Sequence, residues 1–392
     1  MSRDLLLTFN AGSSTVKIGV FELQREAAQR IAKAVIDFRA APPTFRFIEG
    51  PHAETIPLTS VMGEELHEIV SETFAWLAQH YPMHRLRAVG HRVVHGGDEF
   101  DKAAAIDADA IARIEALSPL APLHQPHNLR LIRAVARVNP GLAQTASFDT
   151  AFHRTNDDLV RRFALPRAIH DSGVKRYGFH GLSYKSIAAT LKQSEPEISR
   201  QRVLAAHLGS GASLCAMHDG VSRDSSMGFS TLDGIPMATR CGALDAGVVL
   251  HLLGHERRSF TDVEDMLYHK SGLLGVSGIS ADARALLESQ APEARQALDL
   301  FALRTAGEIA RLANTLGGLD ALVFTAGIGE NAPSIRANIA ARLNWLGAAL
   351  DENANAANAR CISKPEAKVK LYVIPTDEEQ VIADEALTKL KL

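Results

Sequence analysis

The sequence predicts an α/β protein built from two related α/β units. The chain has 392 residues, enough for two domains with a sizeable core. Apolar, strand-like runs alternate with segments of helical periodicity along its length. A strand, a glycine–serine turn and a second strand occur at residues 5–23 and again at 203–218. This repetition indicates duplication of one unit.

Composition narrows the class of protein. Hydrophobic residues make up 46% and charged residues 22%, which is typical of a globular chain and not of a disordered one. The net charge of -3 favours neither nucleic acid nor an anionic membrane as a partner, and no apolar run approaches the ~18 residues of a membrane span. Cys215, Cys241 and Cys361 lack metal-type spacing and suit a reducing compartment, so we expect a cytoplasmic protein.

The first half begins with four predicted strands, at 5–9, 16–23, 31–38 and 44–48, with a polar turn from Asn10 to Ser14. A helix is predicted at 61–80, because apolar residues recur every three or four positions. Strand 86–94 carries Arg92 near its carboxyl end, where α/β sheets bind ligands, although a surface role is the alternative. The buried face of the helix comprises Leu66, Ile69, Val70, Phe74 and Leu77.

Three prolines in residues 118–128 predict a rigid loop that presents Leu123, His124 and His127, followed by a helix at 127–138. The next strand ends at Asp149, between Phe148 and Phe152. This carboxylate suits an acid/base or metal-facing group, and a turn-capping role is the equal alternative. The first domain is predicted to end near this point.

The second half contains the most unusual loops. His180 lies between two glycines in Y-G-F-H-G, before a predicted helix. A strand then runs into Gly209, Ser210 and Gly211, whose backbone N–H groups could approach a phosphate, and Arg240 follows in P-M-A-T-R. A β-meander with ordinary turn glycines is the alternative interpretation of residues 203–247.

Helices are predicted near 246–254, 261–270 and 292–316, the last ended by Gly317 and Gly318. A buried strand, L-D-A-L-V-F-T-A, then turns through 327–331 into a helix with Pro333 in its first turn. The tail is a strand, a proline turn and a helix opened by three acids, Asp377, Glu378 and Glu379.

Other site types are disfavoured. His91 and His95 are ~13 Å apart if on a strand, and His251 and His255 lack a third ligand, so zinc is not expected. No P-loop or G-x-S-x-G motif is present. Gly327-x-Gly329-x-x-Ala332 fits the loose dinucleotide fingerprint, which keeps an NAD-linked oxidoreductase as an alternative.

The polar loops together resemble the acetokinase family, within the acetate and sugar kinase/actin superfamily. The motifs are N-A-G-S-S-T-x-K, G-H-R-V-V-H-G-G, F-D-T-A-F-H, Y-G-F-H-G, H-L-G-S-G, P-M-A-T-R, G-I-G-E-N and P-T-D-E-E, in the family's order. The resemblance implies a duplicated ribonuclease-H-like, actin-like ATPase fold with two domains around a nucleotide cleft. The implied domains are residues 1–150 plus 378–392 and residues 151–377.

The resemblance implies reversible transfer of the ATP γ-phosphoryl group to acetate, giving acetyl phosphate and ADP, by a homodimer that uses Mg²⁺ or Mn²⁺. Asn10 and Glu378 would bind the metal. The implied catalytic residues are Arg92, Asp149, His180 and Arg240. Those implied to hold ATP or ADP are Lys17, His207, Leu208, Gly209, Ser210, Gly211, Asp282, Ala283, Arg284, Gly327, Ile328, Gly329, Glu330 and Asn331. Those implied at the substrate are Arg92, Val94, Leu123, Phe179 and Thr231.

The chemistry of phosphoryl transfer fits this allocation, because charge spreads over three oxygens and calls for fixed cations and donors. A carboxylate acceptor is already ionised at neutral pH, so Asp149 is expected to be a positioning or metal-linked group and not a proton acceptor. Propionate kinase of the same family and an actin-like or chaperone-type ATPase remain alternatives. The chain departs from the family pattern at Ser210, Thr231, Ala238, Cys241 and Asp377.

Overall fold

A computed structural model describes residues 4–12, 15–25, 27–59 and 66–392. The chain divides into two compact units. The first unit contains Met1–Phe152 and Asp377–Leu392, and the second contains His153–Thr376. Within the described ranges, no helix is both long and apolar enough to cross a membrane.

The strands and helices follow the chain. The strands are β1 Leu5–Ala11, β2 Thr15–Leu23, β3 Ala28–Asp37, β4 Thr44–Glu49, β5 His52–Pro57, β6 Leu86–Val93, β7 Ala104–Ala105, β8 Ala143–Phe148, β9 Arg202–Leu208, β10 Ala212–His218, β11 Val221–Ser225, β12 Ala321–Thr325 and β13 Lys370–Val373. The helices are α1 Leu66–His80, α2 Ala108–Ala116, α3 Gln125–Val138, α4 Asp158–Arg161, α5 Arg167–Asp171, α6 Gly181–Ser194, α7 Pro196–Ser199, α8 Ala246–Leu250, α9 Phe260–His269, α10 Gly272–Ser277, α11 Ala283–Glu288, α12 Pro292–Leu316, α13 Ala326–Asn331, α14 Pro333–Ala341, α15 Glu352–Ala356 and α16 Glu378–Leu390. Short 3₁₀ turns cover Met83–Arg85, Ser118–Leu120, Ala151–Thr155 and Asn344–Leu346, and His251–His255 is a π-helical turn.

The two sheets share one strand pattern. In the first unit, β3, β2 and β1 are antiparallel neighbours, and β1, β6 and β8 run parallel. In the second unit, β11, β10 and β9 are antiparallel neighbours, and β9, β12 and β13 run parallel. The repeated order of three antiparallel strands followed by two parallel ones confirms the predicted duplication.

Strand β1 divides the core of the first unit between the two faces of its sheet. Leu5, Leu7 and Phe9 pack with α1 and α3, while Leu6 packs on the other face with Ala383 and Ala386 of α16. Alternate residues of a strand point to opposite faces, so a strand that is buried throughout, as β1 is, lies in a sheet covered on both sides. The last helix of the chain therefore completes the unit that the first strand begins.

Helix α12 is the long helix of the second unit. Pro292 opens it at a position that needs no N–H donor, and Gly317 ends it with a left-handed φ of 69°. Phe301, Ile309 and Leu312 are buried, as the predicted apolar stripe requires. The buried face packs against β9, β10 and β11.

Several boundaries differ from the sequence predictions. Helix α3 begins at Gln125, inside the predicted loop, because Pro126 lies in its first turn. Residues 327–331, predicted as a turn, belong to helix α13, which begins at Ala326, and strand β5 was not predicted. The predicted helix at 61–80 is confirmed from Leu66 onward, whereas its residues 61–65 and the turn residues Ser13 and Ser14 lie outside the described ranges.

Candidate functional site

In the first unit, three polar side chains lie at the carboxyl ends of neighbouring parallel strands. Asn10 is near the end of β1, Arg92 is near the end of β6, and Asp149 directly follows β8. Because β1, β6 and β8 are consecutive in the sheet, their ends meet at one edge. This is the edge at which open α/β sheets bind ligands.

Arg92 and Asp149 form a bidentate ion pair. Nη2 of Arg92 lies 2.6 Å from Oδ2 of Asp149, and Nε lies 3.2 Å from Oδ1. Burial alone would lower the pKa of Arg92, but the carboxylates of Asp149 and Glu378 outweigh it and raise that pKa. Burial raises the pKa of Asp149, against the opposing effect of Arg92. The pair keeps the guanidinium charged and fixed in orientation.

Asn10 connects the first strand to the start of α16. Its Nδ2 donates to Oε2 of Glu378 and to Oε1 of Glu379, both at 2.8 Å. Asp377 caps α16 by accepting from the N–H of Gln380 at 3.1 Å. Burial raises the pKa of Glu379, while the charge of Lys17, opposite Asn10 on β2, lowers it.

The donor set at this edge fits a divalent cation such as Mg²⁺. The carboxylate of Glu378 and the amide oxygen of Asn10 are the hard oxygen ligands that Mg²⁺ takes, with its remaining positions left to water or phosphate. The buried carboxyls of Asp149 and Glu378 and the partly buried carboxyl of Glu379 face the partly buried guanidinium of Arg92. Among the described residues no group of three or more His, Cys, Asp and Glu could hold a metal by itself.

In the second unit, two glycine-containing segments lie side by side. Gly209, Ser210 and Gly211 join β9 to β10, and α13 follows β12, the parallel neighbour of β9. A Cβ placed on Gly209 would lie 3.7 Å from Cβ of Ala326. Within the turn, the N–H of Gly209 donates to the carbonyl of Gly211 at 3.2 Å. Backbone N–H groups of a glycine turn beside a helix start suit a phosphate.

Helix α13 is held by side chains that reach back to its backbone. Glu330 accepts from the N–H of Ala326 at 2.8 Å, and Asn331 donates to the carbonyl of Gly327 at 2.9 Å. The fully buried Arg336 donates to the carbonyl of Gly329 at 2.9 Å and to that of Glu330 at 3.0 Å. These bonds explain why G-I-G-E-N is helical despite its glycines.

Two imidazole rings stack beside the glycine turn. The rings of His180 and His207 have centroids 4.3 Å apart and planes within 15°. Nδ1 of His180 lies 2.8 Å from Oγ of Ser213, and Nδ1 of His207 lies 2.8 Å from Oγ of Ser183. A Cβ placed on Gly211 would lie 3.4 Å from Nε2 of His180, and one placed on Gly209 would lie 3.7 Å from Nε2 of His207. Both Nε2 atoms therefore lie next to the turn.

Arg240 shares this position. A Cβ on Gly211 would lie 3.8 Å from its Nη1, which also lies 3.2 Å from the carbonyl oxygen of Thr231. Hydrogen bonds fix its loop on two sides. On one side, the N–H of Ala238 donates to the carbonyl of Ser210 at 3.1 Å. On the other, carbonyls of residues 237–239 accept from the N–H groups of Ser271, Leu273 and Leu274. Gly272 makes this approach possible, because a Cβ there would lie 2.7 Å from the carbonyl oxygen of Arg240.

The remaining predicted residues have other surroundings. Asp282 and Arg284 pair with each other at the start of α11, with Nη2 and Oδ2 2.8 Å apart. Val94 and Phe179 are buried, whereas Leu123 is half exposed. The sequence predictions assigned no site role to Glu379, Ser183, Tyr184, Ser213 or Arg336. Of these, only Ser213 could have been indicated, by the hairpin register that sets it opposite His207.

The model of the acetokinase family matches residues 5–384. The chain belongs to the acetokinase family. It is 46% identical over 389 residues to a protein named acetate kinase from Rhodopseudomonas palustris, covering 97% of each chain. It is 40% identical over 386 residues to an acetate kinase from Rickettsia felis, covering 98% of this chain and 99% of that one.

Solved structures of family members have the same fold. A propionate kinase from Francisella tularensis superposes with a TM-score of 0.90 at 33% identity, covering 97% of this chain and 98% of that one. An acetate kinase from Porphyromonas gingivalis superposes with a TM-score of 0.88 at 33% identity, covering 99% of this chain and 100% of that one. They confirm the predicted duplicated, actin-like α/β fold and disfavour the NAD-linked alternative.

Proposed function

We propose that this acetokinase-family chain is an acetate kinase, which transfers the γ-phosphoryl group of ATP to acetate and forms acetyl phosphate and ADP reversibly. The observation that carries the proposal is the 46% identity, over 97% of both chains, to a relative named acetate kinase. The charged and glycine-rich groups at the strand ends of each unit support it, because phosphoryl transfer depends on positioned cations and donors.

In the first unit, we assign Mg²⁺ binding to Asn10 and Glu378. When bound, the ion would neutralise negative charge on phosphate oxygens. Arg92 would contact the transferring phosphoryl group. Asp149 would orient Arg92 through its two-point contact, because acetate is ionised at neutral pH and needs no strong base.

In the second unit, we assign phosphate binding to the turn from Gly209 to Gly211 and nucleotide contacts to residues 327–331. His180 and Arg240, both beside Gly211, would donate to the transferring phosphoryl group. We further assign nucleotide contacts to Lys17, His207 and Leu208 and to the segment Asp282–Arg284.

Propionate is the second candidate acceptor, since one structural relative is a propionate kinase at 33% identity. We favour acetate because the curated relatives named acetate kinase reach 46% identity. A single methylene changes selectivity by only ~10–200-fold in a hydrophobic pocket, so measurable propionate activity is compatible with acetate as the preferred acid. We assign acyl contacts to Val94, Leu123, Phe179 and Thr231.

The proposal is tested by trapping the acyl phosphate as its hydroxamate. The purified protein is incubated with ATP, Mg²⁺, hydroxylamine and acetate, propionate or butyrate. We expect hydroxamate with acetate, less with propionate and little with butyrate. ATP hydrolysis without hydroxamate would instead identify an ATPase. Higher kcat/KM for propionate than for acetate would overturn acetate and retain the kinase.

Three further assignments accompany the proposal. We infer that the two compact units are the catalytic domains, that the enzyme is a homodimer, and that it works in the cytoplasm with its cysteines as free thiols. Size-exclusion chromatography with light scattering tests the dimer.

A further inference from the structure

Three side chains of the second unit form a continuous chain of hydrogen bonds that ends at His180. The phenol of Tyr184 bonds to Oγ of Ser213, and Oγ of Ser213 lies 2.8 Å from Nδ1 of His180. Tyr184 and Ser213 are both fully buried. None of the roles assigned above involves Tyr184 or Ser213.

The local backbone explains how the three groups meet. His180 caps the start of α6 in a left-handed conformation, with φ of 56°, and Tyr184 lies one turn further along that helix. Ser213 lies on β10, opposite His207 in the hairpin. Left-handed backbone is costly for a residue other than glycine, and such strain is concentrated at functional sites.

The direction of the chain of hydrogen bonds decides which nitrogen of His180 carries the proton. If Tyr184 donates to Ser213, the single hydrogen of Ser213 is directed to Nδ1, and the neutral ring carries its proton on Nε2. If Nδ1 donates to Ser213 instead, Nε2 carries no proton, and Ser213 has to donate to the phenol or leave its own buried hydrogen without an acceptor, which is costly. A phenol is a better donor than an aliphatic hydroxyl, so the first direction is favoured.

We propose that Tyr184 and Ser213 are positioning residues that hold neutral His180 in the Nε2-protonated tautomer. Nε2 is the nitrogen beside Gly211, and Nη1 of Arg240 also lies beside that glycine. A proton there can be donated to a phosphoryl oxygen, whereas a bare lone pair would repel it. The inference rests on the proposed function, in which His180 contacts the transferring group.

The test is Tyr184→Phe, which removes one oxygen and keeps the ring. In protein labelled with ¹⁵N-histidine, the resonances of His180 are assigned by comparison with His180→Asn. We expect the wild type to show protonated Nε2, and Tyr184→Phe and Ser213→Ala to show a mixture or the opposite tautomer. We expect kcat to fall roughly tenfold, as the loss of one hydrogen bond implies, with KM for ATP and acetate within about twofold.

Tyr177→Phe is the matched control, because the buried Tyr177 also uses its hydroxyl, to donate to the carbonyl of Gly173 at 2.8 Å. It should leave the His180 resonances as in the wild type. Unchanged His180 resonances in Tyr184→Phe overturn the proposal, as does a changed tautomer with unchanged kcat. If the wild type makes no acyl phosphate, the proposed function fails, and the resonances still decide whether Tyr184 sets the tautomer.

Discussion

Arg92 and Asp149 lie 57 positions apart in the chain, yet Nη2 of the arginine lies 2.6 Å from Oδ2 of the aspartate. The Asp149 side chain is 1% exposed and that of Arg92 is 15% exposed. The contact follows from the sheet, because β6 and β8 are parallel neighbours and their carboxyl ends coincide. The pairing of these two charges is therefore determined by the order of the strands in the sheet and not by neighbouring positions in the sequence.

Asp149→Asn should destabilise the first unit, because it removes the carboxylate in two-point contact with the guanidinium of Arg92 and leaves only the attraction of Glu378 and Glu379. We expect the free energy of unfolding to fall by about 3 kcal/mol. Trp76, packed against Phe45 and Phe47, reports on this unit during urea unfolding in a Trp345→Phe background.

The control for this change is Asp109→Asn. Asp109 forms an exposed pair with Arg113 at 3.6 Å on α2 of the same unit, with its own side chain 77% exposed. Removing that charge should alter stability by less than about 0.5 kcal/mol. Equal effects at Asp109 and Asp149 would contradict a special role for the buried pair.

Arg240→Ala should reduce turnover by roughly 10³ or more, about 4 kcal/mol, by analogy with an arginine finger. KM for ATP should change much less, because the guanidinium is expected to act mainly on the transition state. Steady-state kinetics measure both quantities. Arg295→Ala, at an exposed arginine of α12 in the same unit, is the control and should match the wild type. Near-normal turnover without Arg240 would exclude it from catalysis.

Glu378→Ala should raise the Mg²⁺ concentration for half-maximal activity by roughly tenfold or more, since a ligand of the ion is lost. Circular dichroism should show an intact fold. Asp384→Ala removes an acid from the exposed face of the same helix and serves as the control. An unchanged magnesium titration would mean that Glu378 only stabilises the first turn of α16.

Thr231→Pro should increase the preference for acetate over propionate, because the ring would tighten one wall of the acyl site. The carbonyl that accepts from Arg240 is retained in proline. The measurement is kcat/KM for each acid at one fixed ATP and Mg²⁺ concentration. A change of up to ~10-fold in the ratio is expected for an effect of about one methylene. If the ratio stays constant, residue 231 does not line the acyl site.

Stability should fall as the pH falls from about 6.5 towards 4, partly because of His153. Burial lowers the pKa of His153 to about 4, whereas an unfolded histidine titrates near 6.5. Between these values the unfolded chain binds the extra proton, so acid favours unfolding. The urea midpoint of unfolding, plotted against pH between 7.5 and 4.5, should fall less steeply in His153→Gln than in the wild type. His255→Gln is the control, because it changes an exposed histidine and should leave that slope as in the wild type.

The strands with one or two fully apolar faces were predictable from the sequence, since β1 and β12 are buried throughout. Strand β5 was not, because its side chains are exposed or partly exposed and carry no apolar pattern. Helix α13 was missed for a different reason. Its two glycines oppose helix formation, and the bonds from Glu330 and Arg336 that overcome this depend on the folded chain.

Much of the candidate site was also visible in the sequence as polar residues at strand ends, such as Arg92 and Asp149. Which groups touch could not be read from it. The contact of Ser213 with His180 requires the hairpin register and the left-handed backbone at His180 together. The bond from Asn10 to Glu379 spans 369 positions, so no local pattern could indicate it.

That long span has a consequence for how the protein is made. During synthesis β1 leaves the ribosome before the second unit, and α16 leaves it after that unit. Until α16 emerges, the sheet face around Leu6, Phe21 and Ala88 has no cover, and Asn10 lacks both acids. Domains usually fold in order as they leave the ribosome. Here the unit whose strands are translated first is completed only after the second unit has been made, so a nascent chain gains its acidic site only when α16 has been translated.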